Sequence, residues 1–415
     1  MPPSADAARL AGRLKQRALE IGFDRAGIAR LEPTPESEAF RGWIEQGRHG
    51  AMGYLERRLE ERVDPRKAMD GARSALVVGL VYDQPPSPPR QGDRMDLEKA
   101  PSTLGQEDRL NLDQATSPLR QGDCLEYPLQ AAEGAAQRAA GEQSSSGRAA
   151  AQQPTARIAR YAGGDDYHDV LLEGLRRIGE ELAPLAGRPV RWRACVDTGP
   201  VLERVLAAYA GLGWIGKNTC LIDRELGSYL FLGVLLLDLE LPPDAREPDH
   251  CGSCRACLDA CPTGAFPAPY ALDATRCLSY TTIELRGPIA EPLREPQGDW
   301  VFGCDVCQEV CPWNTRARRP VPADRGGMRA RLAPRPEWSE PALARLLGLD
   351  EPAWRTAARG TALRRAKHRG LLRNALVAAG NAGDPLLAPQ LERHARGADP
   401  LLAEHARWAL DKLGR

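Results

Sequence analysis

Cys251-Gly-Ser-Cys254-Arg-Ala-Cys257-Leu-Asp-Ala-Cys261-Pro262 opens a region that closes on Cys304-Asp-Val-Cys307-Gln-Glu-Val-Cys311-Pro312, with Cys277 standing between the two runs. Eight thiolates at this spacing are what two [4Fe–4S] clusters need, and in such a pattern the last cysteine of each run serves the other cluster. The expected sets are Cys251, Cys254, Cys257 and Cys311 for one cluster, and Cys261, Cys277, Cys304 and Cys307 for the other. Two-residue gaps let a tight loop wrap one cube, and the Cys-Pro step carries the chain across to its neighbour. Structural zinc sites instead pair C-x2-C knuckles, often with histidine. Disulfides do not suit such close spacing in a chain without an export signal. The region moves electrons.

At 415 residues, two or three domains are expected. A hydrophobic content of 42% supports real cores, and a net charge of zero means that any nucleic-acid signal must be regional. Met1-Pro-Pro-Ser-Ala-Asp lacks the charged and apolar regions of a signal peptide. The longest apolar run, Tyr229 to Leu237, is too short to span a bilayer and reads as a buried strand. The expectation is a soluble, cytoplasmic protein with no membrane association.

Ala7 to Ile21 has a helical pattern, and Ser74 to Tyr82 reads as a strand. From Gln84 to Ala156 the chain holds one aromatic residue, Tyr127, amid Pro, Gln, Ser, Gly and Ala. Asp83-Gln84-x2-Ser87-Pro88-x-Arg90-Gln91-Gly92-Asp93 recurs as Asp113-Gln114-x2-Ser117-Pro118-x-Arg120-Gln121-Gly122-Asp123. Such a stretch cannot bury enough apolar surface to offset its ordering entropy. It reads as a disordered insertion without a catalytic role, with Cys124 a bystander. Beyond it, Leu171, Leu175, Ile178 and Leu182 mark a helix, Val190 to Val196 a strand and Val201 to Ala210 a helix. Leu221–Ile222 and Tyr229–Leu237 read as a hairpin or successive strands. Asp384 and Asp399 each precede Pro-Leu-Leu-Ala as N-caps, in the manner of short HEAT-type helical pairs.

Gly211-x-Gly213-x-x-Gly216 formally matches a dinucleotide fingerprint, but it follows a helical stretch where that motif must follow a strand. Asp197-Thr198-Gly199 has no second copy to make a protease dyad. It is either a turn or a strand-end aspartate poised as a general acid. Cys195 and Cys220 read as core thiols, with Cys195 a neighbour of the Asp197 pocket.

Three blocks now carry a resemblance: Asp197-Thr-Gly-Pro-Val-Leu-Glu-Arg204, Ala210-Gly-Leu-Gly-Trp-Ile-Gly-Lys-Asn218 and Cys307-Gln-Glu-Val-Cys-Pro-Trp-Asn314. Together they resemble the epoxyqueuosine reductase family, which acts at the last step of queuosine synthesis in tRNA. Met52-x-Tyr54-Leu55, Arg62-x-Asp64-Pro65, Arg160-Tyr161-Ala162, Asp166-Tyr167-His168, Arg369-Gly-Leu-Leu-Arg373-Asn374 and Gly380-Asn381 extend it to almost the whole chain. Only the insertion departs from it.

The resemblance implies an α/β cobalamin-binding domain in residues 1–83 and 157–245, interrupted by the insertion 84–156. It implies a ferredoxin-like two-[4Fe–4S] domain in 246–320, then a basic linker and a small α-helical, HEAT-like tRNA-binding domain in 321–415. Cobalamin would be held base-off beside one cluster. Asp197 would donate a proton to the epoxide oxygen, its carboxyl kept protonated by burial. Asp305 and Val306 would lie against the cobalamin, making the Cys261, Cys277, Cys304, Cys307 cluster the nearer one. Arg62, Tyr161, Asp166, Tyr167, His168, Asn218 and Ser228 would supply further corrin contacts, without requiring His168 to ligate cobalt.

Arg355 to Asn374 holds six arginines and Lys367 with no acid, and Thr315 to Arg335 holds seven arginines against Asp324 alone. On charge patterning these are solvated arginine faces. The resemblance turns them toward the tRNA anticodon loop, with Arg365, Lys367, Arg369, Arg373 and Asn374 as contacts. A flavodoxin or ferredoxin is the expected reductant, and a monomer the expected state. A corrinoid reductive dehalogenase and a non-catalytic dicluster electron carrier are the competing classes, and the basic helical tail argues against both.

Overall fold

Ser74-Ala-Leu-Val-Val-Gly-Leu-Val81 is buried along its whole length because it is an inner strand covered on both faces. Strand side chains alternate between faces, so Leu76, Val78 and Leu80 enter one core while Ala75 and Val77 enter another. The computed structural model describes residues 5–82, 153–316 and 323–415. Its strands are β1 (Arg25–Arg30), β2 (Ser74–Val81), β3 (Arg157–Ile158), β4 (Trp192–Cys195), β5 (Trp214–Ile215), β6 (Leu221–Ile222), β7 (Leu230–Leu237) and β8 (Trp300–Phe302). The main sheet runs β1-β2-β7-β4 and is antiparallel at every step, so helices and strands combine in the α+β manner. The helices Ala5–Ile21 and Tyr167–Glu180 cover one face through Leu14, Ala18, Leu171, Leu175 and Ile178. The helix Glu203–Tyr209 covers the other through Leu206 and Ala207.

Of the two readings, Leu221–Ile222 and the following strand are successive strands rather than a hairpin. β7 pairs with β2 over eight residues, from Ser74 opposite Leu237 to Val81 opposite Leu230, whereas β6 pairs with β5. The long apolar match buries far more surface than a two-residue ladder could. Gly213 sits in the turn into β5 with φ 151, where a Cβ would lie 2.1 Å from the Ile222 carbonyl oxygen. The glycine triplet therefore shapes a helix-to-strand turn, after the helix Glu203–Tyr209.

The described residues begin again at Gln153, slightly before the expected boundary at Arg157. Pro154 accepts from Leu343 N–H at 2.9 Å, and the fully buried Ala156 donates to Pro341 at 2.8 Å. Nearly all of the insertion, including the repeated Asp-Gln-x2-Ser-Pro motif and Cys124, lies outside the described residues. β3 then runs parallel to β8 just ahead of Cys304, and Ala159 N–H bonds the Phe302 carbonyl at 2.8 Å. That pairing sets the Arg160-Tyr161-Ala162 segment alongside the second cysteine run.

One apolar cluster joins Ala162, Val301 and Phe302 to Leu343, Leu363, Leu372 and Leu376 of the C-terminal helices. Hence the expected boundary near residue 320 does not separate two cores. Asp384 and Asp399 cap their helical turns as read, accepting from Leu386 N–H and from Leu401 N–H, both at 2.9 Å. The helix Pro400–Lys412 packs against both Lys367–Ala382 and Ala388–Ala395. Apart from Gly252–Cys254, the described residues form one compact unit. No helix among the described residues is long and apolar enough to cross a membrane.

Candidate active site

The two cysteine runs fold alike. Each carries a four-residue helix, Ala256–Asp259 and Val306–Glu309, and each helix follows a residue near φ −110 and ψ 0, Arg255 in one (φ −126, ψ 1) and Asp305 in the other (φ −106, ψ 2). Cys277, Cys304 and Cys307 face a common space. Cys277 feels the charge of Cys261, Cys304 that of Cys277 and Cys261, and Cys307 that of Cys277 and Cys304. Burial first, and then this crowding, pushes Cys304 up to about 12. Cys261, although it closes the first run, therefore lies with the second, and its sulfur accepts Ala265 N–H at 3.3 Å. In the other group, Cys251 and the buried Cys311 pack with Trp214, Ile222 and Trp313, and Tyr270 feels both Cys251 and Cys257. Cys254 is partly buried.

Among the described residues no three Cys, His, Asp or Glu side chains converge as a single metal ion would require. A [4Fe–4S] cube, whose ligating sulfurs stand apart at its corners, requires no such convergence. Four crowded, partly buried cysteine sulfurs are the donor set that a cluster's positive iron would stabilise as thiolates. The residues fit the group.

Cys220, read as a core thiol, has a more specific place. Its side chain interacts directly with that of Cys307. Asn218, only 3% exposed, braces this pairing: its Nδ2 donates to the Cys307 carbonyl at 3.3 Å, and its Oδ1 accepts Cys220 N–H at 3.2 Å. Ser228 is likewise tied to the second run. Its hydroxyl donates to Gln308 Oε1 at 2.9 Å and accepts from Asn314 Nδ2 at 2.9 Å.

Asp305 is 2% exposed, accepts Arg160 N–H at 2.8 Å, and is pushed up to about 6 by burial. Val306 packs by Ala159, Leu278 and Trp300. From here an aromatic wall leads to Asp197. Tyr161 feels both Asp197 and Asp305, and it meets Tyr167 edge-on at 5.9 Å between ring centres. Tyr167 stacks on Phe231 at 4.4 Å and on His168 at 4.1 Å.

Asp197 follows β4 and adopts φ 54, a left-handed conformation that Asp tolerates better than most residues. Thr198 N–H closes the turn on the Val196 carbonyl, and Gly199 lies so close to Cys195 that a Cβ would be 2.5 Å from that residue's own Cβ. His168 links two carboxylates: Nδ1 lies 2.7 Å from Asp166 Oδ1 and Nε2 lies 3.3 Å from Asp197 Oδ2. Asp166 also caps the helix, accepting His168 N–H at 3.1 Å. Burial pulls the imidazole down, but the hydrogen bonds and charges of the two acids outweigh it and raise it to about 9. Both ring nitrogens being engaged, His168 is not placed to ligate a metal.

The expectation of a protonated Asp197 rested on burial against the corrin, whereas its protein neighbours alone favour the ionised form. Surrounding protein pushes its carboxyl up, yet the hydrogen bonds from His168 and Tyr167, with the charges of His168 and Arg365, hold it below the usual carboxylate range. With 62% of the side chain exposed, those hydrogen bonds govern it rather than burial. The protonated acid is Glu203, a residue the sequence reading passed over. Burial and then the charge of Asp197 push it up to about 8. Arg62 is buried, donates to the Arg57 carbonyl at 3.2 Å and feels Tyr54 and Glu203.

The basic tail divides sharply. Arg373 and Asn374 have no exposed surface, which removes them as RNA contacts. Arg373 instead donates to the carbonyls of Thr281, Leu285 and Gly287, and Asn374 donates to those of Thr282 and Val301. Arg365 forks onto Glu284 at 2.8 and 3.0 Å and covers the Tyr54 ring, while Arg369 pairs with Asp399 at 2.6 Å. Lys367 is exposed and lines a cavity of about 340 Å³ with Trp354, Arg355 and His368. In the linker, Arg329 is buried against Asp24 at 2.6 Å, and Arg331 and Arg335 pair with Asp165. The linker charges that these three carry are therefore compensated within the protein.

Comparison with known proteins matches this arrangement. The family model for epoxyqueuosine reductase QueG, DUF1730, fits residues 134–198, and a 4Fe-4S double cluster binding domain fits residues 250–314. The epoxyqueuosine reductase of Xanthomonas campestris is 36% identical over 100% of this chain and 98% of its own length. That of Escherichia coli is 33% identical over 99% of this chain and 91% of its own. A crystal structure of an epoxyqueuosine reductase with an epoxyqueuosine-modified tRNA-Tyr stem loop superposes with a TM-score of 0.76 at 26% identity, covering 99% of this chain and 91% of that one. With whole-length identity at this level, the chain belongs to the epoxyqueuosine reductase family.

Proposed function

We propose that this protein reduces the epoxide of epoxyqueuosine at the tRNA wobble position to the alkene of queuosine, electrons passing through two [4Fe–4S] clusters to cobalamin. Two electrons and two protons enter, both carbon–oxygen bonds of the epoxide break, the carbon–carbon double bond forms, and the oxygen leaves as water. Bound base-off, cobalamin would supply the reducing equivalents at the epoxide carbon. Tyr161, Asp166, Tyr167, His168, Asn218, Ser228, Asp305, Val306 and Arg62 are the residues we assign to holding it. The observation that carries the reading is that Tyr161 senses both Asp197 and Asp305, so the proton-delivering group and a cluster loop converge on one aromatic wall.

The cluster sets we assign are Cys251, Cys254, Cys257 with Cys311, and Cys261, Cys277, Cys304 with Cys307. The second is the one facing the substrate, since Asp305 and Val306 lie within its loop. Asp197 delivers the proton to the epoxide oxygen, but not from a buried neutral carboxyl. The proton resides on His168 at neutral pH, and Asp197 Oδ2 at 3.3 Å is its path outward. Arg365, Lys367 and Arg369 present cations to RNA phosphates from a HEAT-like helical tail. A flavodoxin or ferredoxin would reduce the outer cluster. A tRNA substrate suits a cytoplasmic enzyme, which we take to act as a monomer.

The test uses anaerobic protein carrying both clusters and cobalamin, given a reductant and epoxyqueuosine-containing tRNA, with nucleosides read by mass spectrometry. Queuosine is expected from wild type and none from Asp197→Ala. No product from fully loaded wild type overturns the reading, and turnover by Asp197→Ala removes Asp197 from it. The dehalogenase and electron-carrier alternatives predict no change in the tRNA.

A further inference from the structure

The chemistry above leaves one acid of the site without a task. Glu203 opens the helix Glu203–Tyr209, six residues past Asp197, and its Oε1 accepts the backbone N–H of Asp197 at 2.5 Å. That N–H belongs to a residue at φ 54, where a non-glycine backbone persists only if its surroundings hold it. The turn has two ties: Thr198 N–H onto the Val196 carbonyl, and the Glu203 carboxyl onto Asp197. The first closes the turn on itself. The Asp197 side chain reaches His168 on the helix Tyr167–Glu180, but of the two backbone ties only the second anchors the turn to a regular element.

We infer that Glu203 is a positioning residue, a latch that fixes the left-handed turn and so aims the Asp197 carboxylate at His168. The inference rests on the assignment of Asp197 as the proton-delivering group. The latch depends on protonation because of what surrounds it. Asp197 repels a negative charge on Glu203, Arg204 and His168 attract one, and Tyr167, Arg62 and Cys195 also sense it. Burial and Asp197 win, and the carboxyl holds its proton up to about pH 8. A neutral carboxyl offers its carbonyl oxygen to the Asp197 N–H without opposing the Asp197 charge. An ionised one sets two carboxylates against each other across a single turn, and the turn opens.

Two measurements on the full-length, cluster- and cobalamin-loaded protein test this. In steady-state turnover, Glu203→Ala is expected to lower kcat by about 100-fold, the scale of a small misplacement of a catalytic group, while KM for the tRNA stays within about twofold. Glu203→Gln keeps the carbonyl acceptor and no charge, so it recovers most of that loss. It also moves the alkaline limb of kcat from about 8, where Glu203 titrates, toward about 9, where His168 does. Independently, the His168 ring titration followed by NMR falls in Glu203→Ala, because Asp197 no longer faces it. Wild-type kcat in Glu203→Ala, a Glu203→Gln limb still at about 8, or an unmoved His168 titration overturns the latch. If Glu203→Ala does not fold, the Glu203→Gln profile decides. Turnover by Asp197→Ala would instead bring down the assignment of Asp197, and unreactive loaded wild type the functional reading itself.

Discussion

His168 Nε2 lies 3.3 Å from Asp197 Oδ2, and this contact joins the helix Tyr167–Glu180 to the turn after β4. His168→Gln should lower turnover by about 10²–10³-fold, as loss of a proton-transfer partner does. The same residue affects stability. Its folded value is raised to about 9, so its contribution is complete below the ordinary histidine value and is lost as pH rises through 9. The melting temperature of wild type should therefore fall more steeply between pH 6.5 and 9 than that of His168→Gln. Equal slopes would mean that the imidazole is not charged in the fold.

Arg373→Ala and Lys367→Ala should separate folding from RNA binding. Arg373 is buried, and burial lowers it to about 10, while its guanidinium caps three carbonyls around the end of the helix Leu278–Ile283. Its removal leaves three carbonyls without their donor and should cost about 3–5 kcal/mol in denaturant unfolding. Lys367→Ala should leave unfolding unchanged, weaken tRNA binding and reduce the salt slope by about one. Weak RNA binding by a fully folded Arg373→Ala would contradict the division.

Cys261→Ala and Cys304→Ala should damage the same cluster, although they belong to different runs. Iron analysis and electron paramagnetic resonance should find four of the eight irons retained in each, with the same surviving signal. Cys251→Ala should leave the complementary signal. If Cys261→Ala resembled Cys251→Ala, the crossing of the runs would be wrong.

Cys220→Ala removes a thiol that interacts with Cys307. Hydrogen bonds to cluster sulfurs stabilise the more negative, reduced state. One of the two midpoint potentials should therefore shift negative while iron content stays unchanged, and Cys220→Ser should shift it less. Loss of iron instead would make Cys220 a ligand rather than a neighbour.

How far the sequence could be read follows from how far apart the interacting residues lie. The cysteine spacing, the strand Ser74–Val81 and the caps at Asp384 and Asp399 are local patterns, and each was legible. The Arg365–Glu284 fork spans 81 residues and Arg329–Asp24 spans 305, so arginines such as these looked uncompensated in the sequence when they were not. Asn374 and Arg373 carried the right motif in the wrong role, because exposure on a helix depends on what packs against it. The pairing of Asp197 was out of view for a related reason: its partner His168 lies 29 residues away. Glu203 was within reach, six residues along the same block, but nothing in a sequence marks which acid keeps its proton.

The carboxylates that hold Arg355, Arg365 and Arg369 also bear on how RNA leaves. On the proposed reading, Glu351, Glu284 and Asp399 compete for the guanidinium groups, so a phosphate docking there would have to displace an acid already seated. Exchange of one anion for another gains less per contact than neutralising a bare cation. On the same reading, those acids would re-form their pairs as product departs, favouring release over retention.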